Sequence, residues 1–129
     1  MAQRLFLIVT SGAREKLQMA GMIAAVAAAT GTETSVFLSM NALTYFVKGG
    51  LANAPAEGPM GRLMEEKNVP PFVDLFRQAV ALGAARLYPC SMAVDVMHLM
   101  PEDLDPVLEK PLGLTRFLTE MEGSQVLTF

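Results

Sequence analysis

Ala84-Ala85-Arg86-Leu87-Tyr88-Pro89-Cys90-Ser91-Met92-Ala93-Val94-Asp95-Val96-Met97 reads as a short buried strand, a tight corner and the first turns of a helix. Gly83 closes the helix before it, and Leu87 and Tyr88 have the bulk that strands favour. Ser91 is a good N-cap residue, and Asp95 falls in the first turns, where a negative charge suits the helix dipole. The corner holds the only cysteine of the chain. A thiol at the carboxyl end of a strand, facing the amide-rich start of a helix, is in a setting that lowers a cysteine pKa. Free cysteine is also among the most buried residue types, so Cys90 reads equally well as one more small core hydrophobe.

Outward from this corner, strand-length apolar runs alternate with helical ones. Arg4 to Val9 is a continuous apolar run, the sign of a strand buried on both faces of a parallel sheet. Thr10-Ser11-Gly12-Ala13 is the turn after it, and Glu15 to Thr30 is a helix closed by Gly31. From Met19 to Ala29 that helix has almost no polar face, which predicts burial on more than one side. Thr34 to Leu38 is the second strand, followed by Ser39-Met40-Asn41 and a short helix from Ala42 to Lys48. Leu51 to Pro70 carries most of the loop chemistry and reads as an irregular excursion with a helical turn around Arg62 to Glu66.

Pro71 opens a helix from Phe72 to Leu82 whose inner stripe is Val73, Leu75, Phe76, Ala79 and Val80. The helix after Cys90 fades near Leu99 into an acidic connector, Pro101 to Pro106. Leu112 to Glu122 is the last helix, with Leu114, Phe117, Leu118 and Met121 inward, and Gln125 to Phe129 is a terminal strand with Val126, Leu127 and Phe129 in the core. Such alternation calls for a mostly parallel sheet with helices on both faces, because crossovers are right-handed. The 129 residues form one domain, 1–129, with no internal repeat.

Composition narrows the function classes. Hydrophobic residues make up 52% and charged ones 18%, more apolar than a monomer of this size needs, so either both faces of a sheet are covered by helices or some helices are buried again between subunits. A net charge of −3 argues against a nucleic-acid or anionic-membrane partner. One cysteine excludes an internal disulfide and points to a reducing, cytoplasmic setting. The run Leu5 to Val9 has Arg4 before it but no small-residue cleavage site, and the apolar run Met19 to Ala29 is far short of the ~20 residues of a membrane span.

Ligands of open parallel sheets bind beyond the carboxyl ends of the strands. Three turns meet there: Ser11-Gly12-Ala13, Ser39-Met40-Asn41 and Pro89-Cys90-Ser91. Their hydroxyls, amide side chain, helix-start amides and thiol suit a small anion or a sulfur anion, and are poor in acid–base groups. Met92 and Met97 flank the thiol and give it a soft, dry wall. The Ser11 turn lacks the glycine spacing and Lys-Ser/Thr ending of a phosphate-binding loop, and no cofactor is implied. One cysteine and one histidine cannot make a zinc site; His98, eight residues after Cys90, lies ~12 Å away along a helix. Arg14 and Lys48 read as solvated helix-end charges.

Four stretches resemble a known family: Ser11 to Leu17, Val36 to Leu43, Tyr88 to Met97 and Val126 to Phe129. The chain resembles the DsrE/DsrF-like family, small α/β proteins of sulfur trafficking with the YchN-like fold. The Tyr88–Met97 segment is the most specific part, similar to a strand ending in a cysteine followed by a Met-rich turn and an aspartate. The resemblance implies a three-layer α/β/α sandwich around a mostly parallel five-stranded sheet, and a homotrimer or homohexamer. It also implies that Cys90 takes up sulfane sulfur as a persulfide and hands it to a partner thiol; the three turns would then place Ser11, Gly12, Ser39, Asn41, Ser91 and Met92 around the substrate. A donor and an acceptor protein are then the partners, and the activity is sulfurtransferase-like. The alternative is a non-catalytic oligomeric binding or assembly module of the same fold, with Cys90 packed and inert.

Overall fold

The computed structural model describes residues 4–50 and 53–129; Leu51, where the excursion was expected to begin, lies outside them. The strands are β1 (Leu5–Val9), β2 (Thr34–Leu38), β3 (Ala85–Pro89) and β4 (Gln125–Thr128). They form one sheet in the order β3-β2-β1-β4, every pair parallel, with Leu7 beside Val36 and Leu127, and Val36 beside Leu87. The helices are α1 (Arg14–Ala29), α2 (Pro59–Glu66), α3 (Phe72–Ala81), α4 (Ser91–Val96) and α5 (Leu114–Glu120), with a 3-10 helix at Met40–Phe46.

Among the described residues four regular strands stand where the resemblance implied five. The outer side of β3 is occupied instead by Glu109 to Leu112: Glu109 N donates to Leu87 O (2.8 Å) and Leu112 N to Pro89 O (3.0 Å), and Leu112 makes a parallel bridge to Cys90. Pro111 has no N–H to give, so this segment lies along the edge without becoming a strand.

Side chains alternate across the sheet. On one face Leu7, Val9, Val36, Leu38 and Leu87 are fully buried, sealed by α1 and α3, which pack on each other. Gly21 permits this: a Cβ there would stand 3.2 Å from Leu75 Cβ and from the Phe72 carbonyl. On α3, Phe72, Phe76 and Ala79 are buried, and Val73, Leu75 and Val80 half-buried. Progress from β1 to β2 to β3 puts α1 and α3 on one face, and the return to β4 must cross the other. There the third layer is thin. The seven residues of α5 place Phe117 on Phe6 (centroids 5.2 Å apart) and Phe37 (4.5 Å), while Leu114 and Leu118, expected inward, are exposed. One short helix cannot turn three large apolar side chains onto two strands. Val126, expected in the core, is 38% exposed on that face, and Leu127 and Phe129 are half-buried, because β4 is an edge strand.

Most of the excursion is ordered structure, with two full turns of helix in α2. The first turn of α1 holds it. Glu15 Oε1 accepts from Glu57 N (2.8 Å), and its Oε2 from Gly58 N (2.7 Å) and Gly61 N (3.2 Å), which are otherwise orphan donors at the start of α2. Arg14, expected to be solvated, is half-buried and donates to Gly61 O and the Glu65 carboxylate, both at 3.0 Å. Gln18 Nε2 reaches Pro70 O at 3.1 Å.

Two measurements check this architecture. Phe117→Ala removes the only side chain of α5 that is fully buried, and should cost ~3–5 kcal/mol in urea unfolding. The amide of Glu57, followed by those of Gly58 and Gly61, holds the Glu15 carboxyl below its usual pKa of 4.5, against the opposing effect of desolvation. A depressed folded pKa gives stability that is complete above the unfolded value and fades as pH falls through the folded one. Glu15→Gln should therefore lower Tm by a few degrees at pH 7, and the gap between variant and parent should narrow as pH falls below 4.5.

Candidate functional site

The three turns do meet at the carboxyl edge of the sheet, joined by a staircase of backbone bonds. Thr10 N and Ser11 N donate to Phe129 O (2.8 and 3.3 Å), Ser39 N to Val9 O (3.0 Å), Cys90 N to Leu38 O (2.9 Å), and Ser91 N to Leu112 O (3.1 Å). The steps continue the parallel ladder one or two residues beyond the strand ends. Ser39 is thus one strand spacing from Cys90, and Ser11 and Gly12 two spacings, or ~10 Å.

This splits the expected set. Gly12 and Asn41 come together: a Cβ on Gly12 would lie 2.9 Å from Asn41 Cβ, so only glycine fits. With Ala13, Tyr45, Pro55 and Glu57 they line a cleft of about 370 Å³, roofed by the excursion that Glu15 clamps. Tyr45 donates its hydroxyl to Gly12 O (2.9 Å), and burial pushes its pKa up, with the Arg14 charge opposing. Tyr45 was not foreseen; a tyrosine in the short helix after β2 gives no signal of reaching back to the first turn. Cys90 is not on the wall of this cleft.

The helix-start amides are largely committed. Ser11 Oγ accepts from Ala13 N (3.0 Å), and Arg14 N donates to Pro55 O (2.9 Å), so the start of α1 is capped from within the chain. At the other turn Cys90 itself occupies the N-cap position of α4, and Ser91, expected there, is the first helical residue with no side-chain capping bond. α4 is six residues long and ends at Val96, short of Leu99, so the dipole facing the thiol is that of a helix of under two turns. Ser91 is half-buried beside Gly113, and Met92 is exposed.

Cys90 is a free thiol, 6% exposed. Leu112, itself buried, bridges to it through the backbone and covers the outer side of this corner. That cover was not legible, because Leu112 reads as the first residue of a helix that begins two residues later. Asp95 is exposed on α4, and His98 is exposed beyond the helix end with a left-handed backbone (φ 53°). Among the described residues no three His, Cys, Asp or Glu side chains gather as a metal site, and no helix is long and apolar enough to cross a membrane. What the edge offers chemically is one nucleophile under an apolar cover, beside a separate small cleft.

Comparison with known proteins gives the fold a context. Two solved structures superpose on nearly the whole chain: the protein of unknown function MTH1491 from Methanobacterium thermoautotrophicum, 12% identical, TM-score 0.59, with all of both chains covered, and the ychN protein of E. coli, 16% identical, TM-score 0.59, covering 98% of this chain and 99% of that one. At such identities the likeness is one of fold. No curated protein sequence matches the chain. The sequence model of a family does, over residues 53–129, a span that takes in β3, Cys90, α5 and β4. The chain belongs to the DsrE/DsrF/DrsH-like family.

Proposed function

We propose that this protein is a sulfur carrier that takes up sulfane sulfur as a persulfide on Cys90 and passes it to the thiol of a partner protein. One observation supports the reading above others: the only cysteine of a DsrE/DsrF/DrsH-like chain stands at the carboxyl end of β3, where open parallel sheets place their chemistry. Uptake is a displacement. The Cys90 thiolate attacks the outer sulfur of a donor persulfide; an S–S bond forms to Sγ as the donor's own S–S bond breaks, and the donor leaves as a thiolate. Delivery repeats the exchange, with the acceptor thiolate attacking and Cys90 leaving. No electrons are gained or lost overall. With one cysteine there is no internal thiol to resolve the persulfide, so donor and acceptor are other proteins of a reducing compartment, the cytoplasm. Ser39 and Ser91 are the neighbours of Cys90 along the edge, whereas Gly12 and Asn41 line the separate cleft and Ser11 caps α1.

The burial of Cys90 favours a second reading, an assembly module with an inert thiol. The carrier reading therefore requires the Glu109–Leu112 cover to open. It is held along β3 by two donated bonds, from Glu109 N and Leu112 N, and it receives one from Ser91 N.

The same proposal includes a homo-oligomer, a trimer or hexamer. α1 presents Met19, Met22 and Val26 to solvent on one face, the last 64% exposed. Apolar surface of this kind marks interfaces.

Incubation of the native protein with polysulfide, followed by intact mass, should show the gain of one sulfur, and Cys90→Ser should keep the fold and assembly and gain none. Sulfur gained by the Ser variant refutes the site; a native Cys90 that alkylates only after denaturation establishes the inert-thiol reading instead. Light scattering at micromolar concentration should give a trimer or a multiple of it, and Met22→Lys should shift the mass downward. A monodisperse monomer for the parent would remove the assembly.

A further inference from the structure

The face of the sheet that α5 covers is open at its amino-terminal end. A cavity of about 640 Å³ lies there, between β2, β3 and α5. Its floor is Ser35 and Arg86, which are register partners on β2 and β3; Arg4 enters from the start of β1, and Arg116 and Glu120 from α5. Glu33 stands on the rim. The faces of a parallel sheet are normally apolar and buried, and a serine beside an arginine in mid-sheet departs from that rule. Three of the six arginines of an acidic chain enter this one cavity, from three different elements.

Each of the three guanidiniums is anchored with donors to spare. Arg4 stands over the Phe6 ring (5.6 Å) and donates one bond, to Glu122 O at 3.5 Å. Arg116 gives its Nε–H to Glu120 at 3.1 Å. The neighbouring Tyr88 side chain, with Glu109 and Glu33 behind it, raises the pKa of Arg86. A guanidinium has five N–H donors in a fixed fork, so most of these remain free to meet an oxyanion. The carboxylates of Glu33 and Glu120 leave the lining one positive charge in excess, which suits a group of one or two negative charges.

We propose that this cavity binds a tetrahedral oxyanion of the phosphate class, free or as the terminal group of a small ester, held by Arg86 and Arg116 with Arg4 closing the side. The site is separate from Cys90. Arg86 lies four residues before the cysteine, ~13 Å along the strand, and its side chain points to the sheet face opposite α1 and α3. It stands or falls independently of the sulfur reading.

Amide NMR of the full chain, titrated with sodium phosphate at fixed ionic strength against a sodium chloride control, tests it. Saturable shifts should centre on Ser35, Arg86 and Arg116 and be absent with chloride. Arg86→Gln should weaken phosphate about tenfold, as loss of a bidentate contact would. Glu120→Gln, which frees Arg116 from its competitor, should tighten binding, an effect that a merely structural role for these charges would not produce. Adenosine 5′-monophosphate saturating below phosphate identifies an ester site, and phosphate saturating at or below it identifies a free-oxyanion site. Shifts that neither probe saturates, or that Arg86→Gln leaves unchanged, overturn the proposal. The unliganded spectrum shows whether each variant is folded, and Cys90→Ser should bind as the parent does.

Discussion

A parallel sheet that grows from β1 through β2 to β3 and then adds β4 on the far side of β1 forces one long return. The right-handed crossover rule sends that return over the face that α1 and α3 leave bare. Its residues have to do three things with few elements. They turn the corner at Cys90, line the outer edge of β3, and supply a third layer. A seven-residue helix is all that reaches the sheet on this face, and it shields Phe6 and Phe37 but not the ends of the strands. Both the buried thiol and the arginine-lined cavity are consequences of that economy. The first is sealed by the part of the return that hugs β3, and the second is the area that α5 is too short to cover.

The other half of the chain solves its own problem by internal pairing. A helix that starts at a sheet edge leaves N–H groups without partners, and so does each further helix laid over that edge. Here the start of α1 is satisfied by Ser11 and by the Pro55 carbonyl, while Glu15 serves as the anion at the start of α2. The excursion is thereby tied down by three charged or polar side chains within a single turn and a half of α1, Arg14, Glu15 and Gln18. Donors committed in this way are not available to a ligand, which narrows the chemistry of the edge to the thiol and the cleft at Gly12.

Sequence periodicity was sufficient for the strands, because Leu5 to Val9 and Val36 to Leu38 are apolar on both faces and have no other home. It was sufficient for α1 and α3, which Gly31 and Gly83 close with positive φ, and for the inner stripe of α3. It failed where a pattern has more than one partner. Leu114 and Leu118 sit at helical spacing from Phe117, yet whether they turn inward depends on how much sheet lies beneath, a tertiary fact. Glu109 to Leu112 reads as connector and helix start, since Pro111 forbids a strand pattern, although its carbonyls and amides do line a strand edge. For the site, residue type located the turns correctly but not the destination of each polar group: Ser11 looks free in sequence and is bound to Ala13 N in the fold. Cys90 was legible as a position and not as an exposure.

That last distinction sets what the proposed carrier would have to do. Interiors are closely packed, and Cys90 is 6% exposed beside its bridge to Leu112, so the proposed persulfide needs room to be made for one more sulfur atom. On that proposal, loading and uncovering would be one event, since a buried thiol has to open both to meet a donor and to hold the added sulfur. The chain places the least regular stretch of its sheet edge at that point. Leu112 is joined to its surroundings through its own amide and carbonyl, next to a proline that contributes no donor. A regular fifth strand would hold the same position with an unbroken ladder, and would make the thiol harder to reach. The irregular edge costs some order in the sheet and leaves Leu112 held at Cys90 by two backbone bonds instead of a continuous ladder.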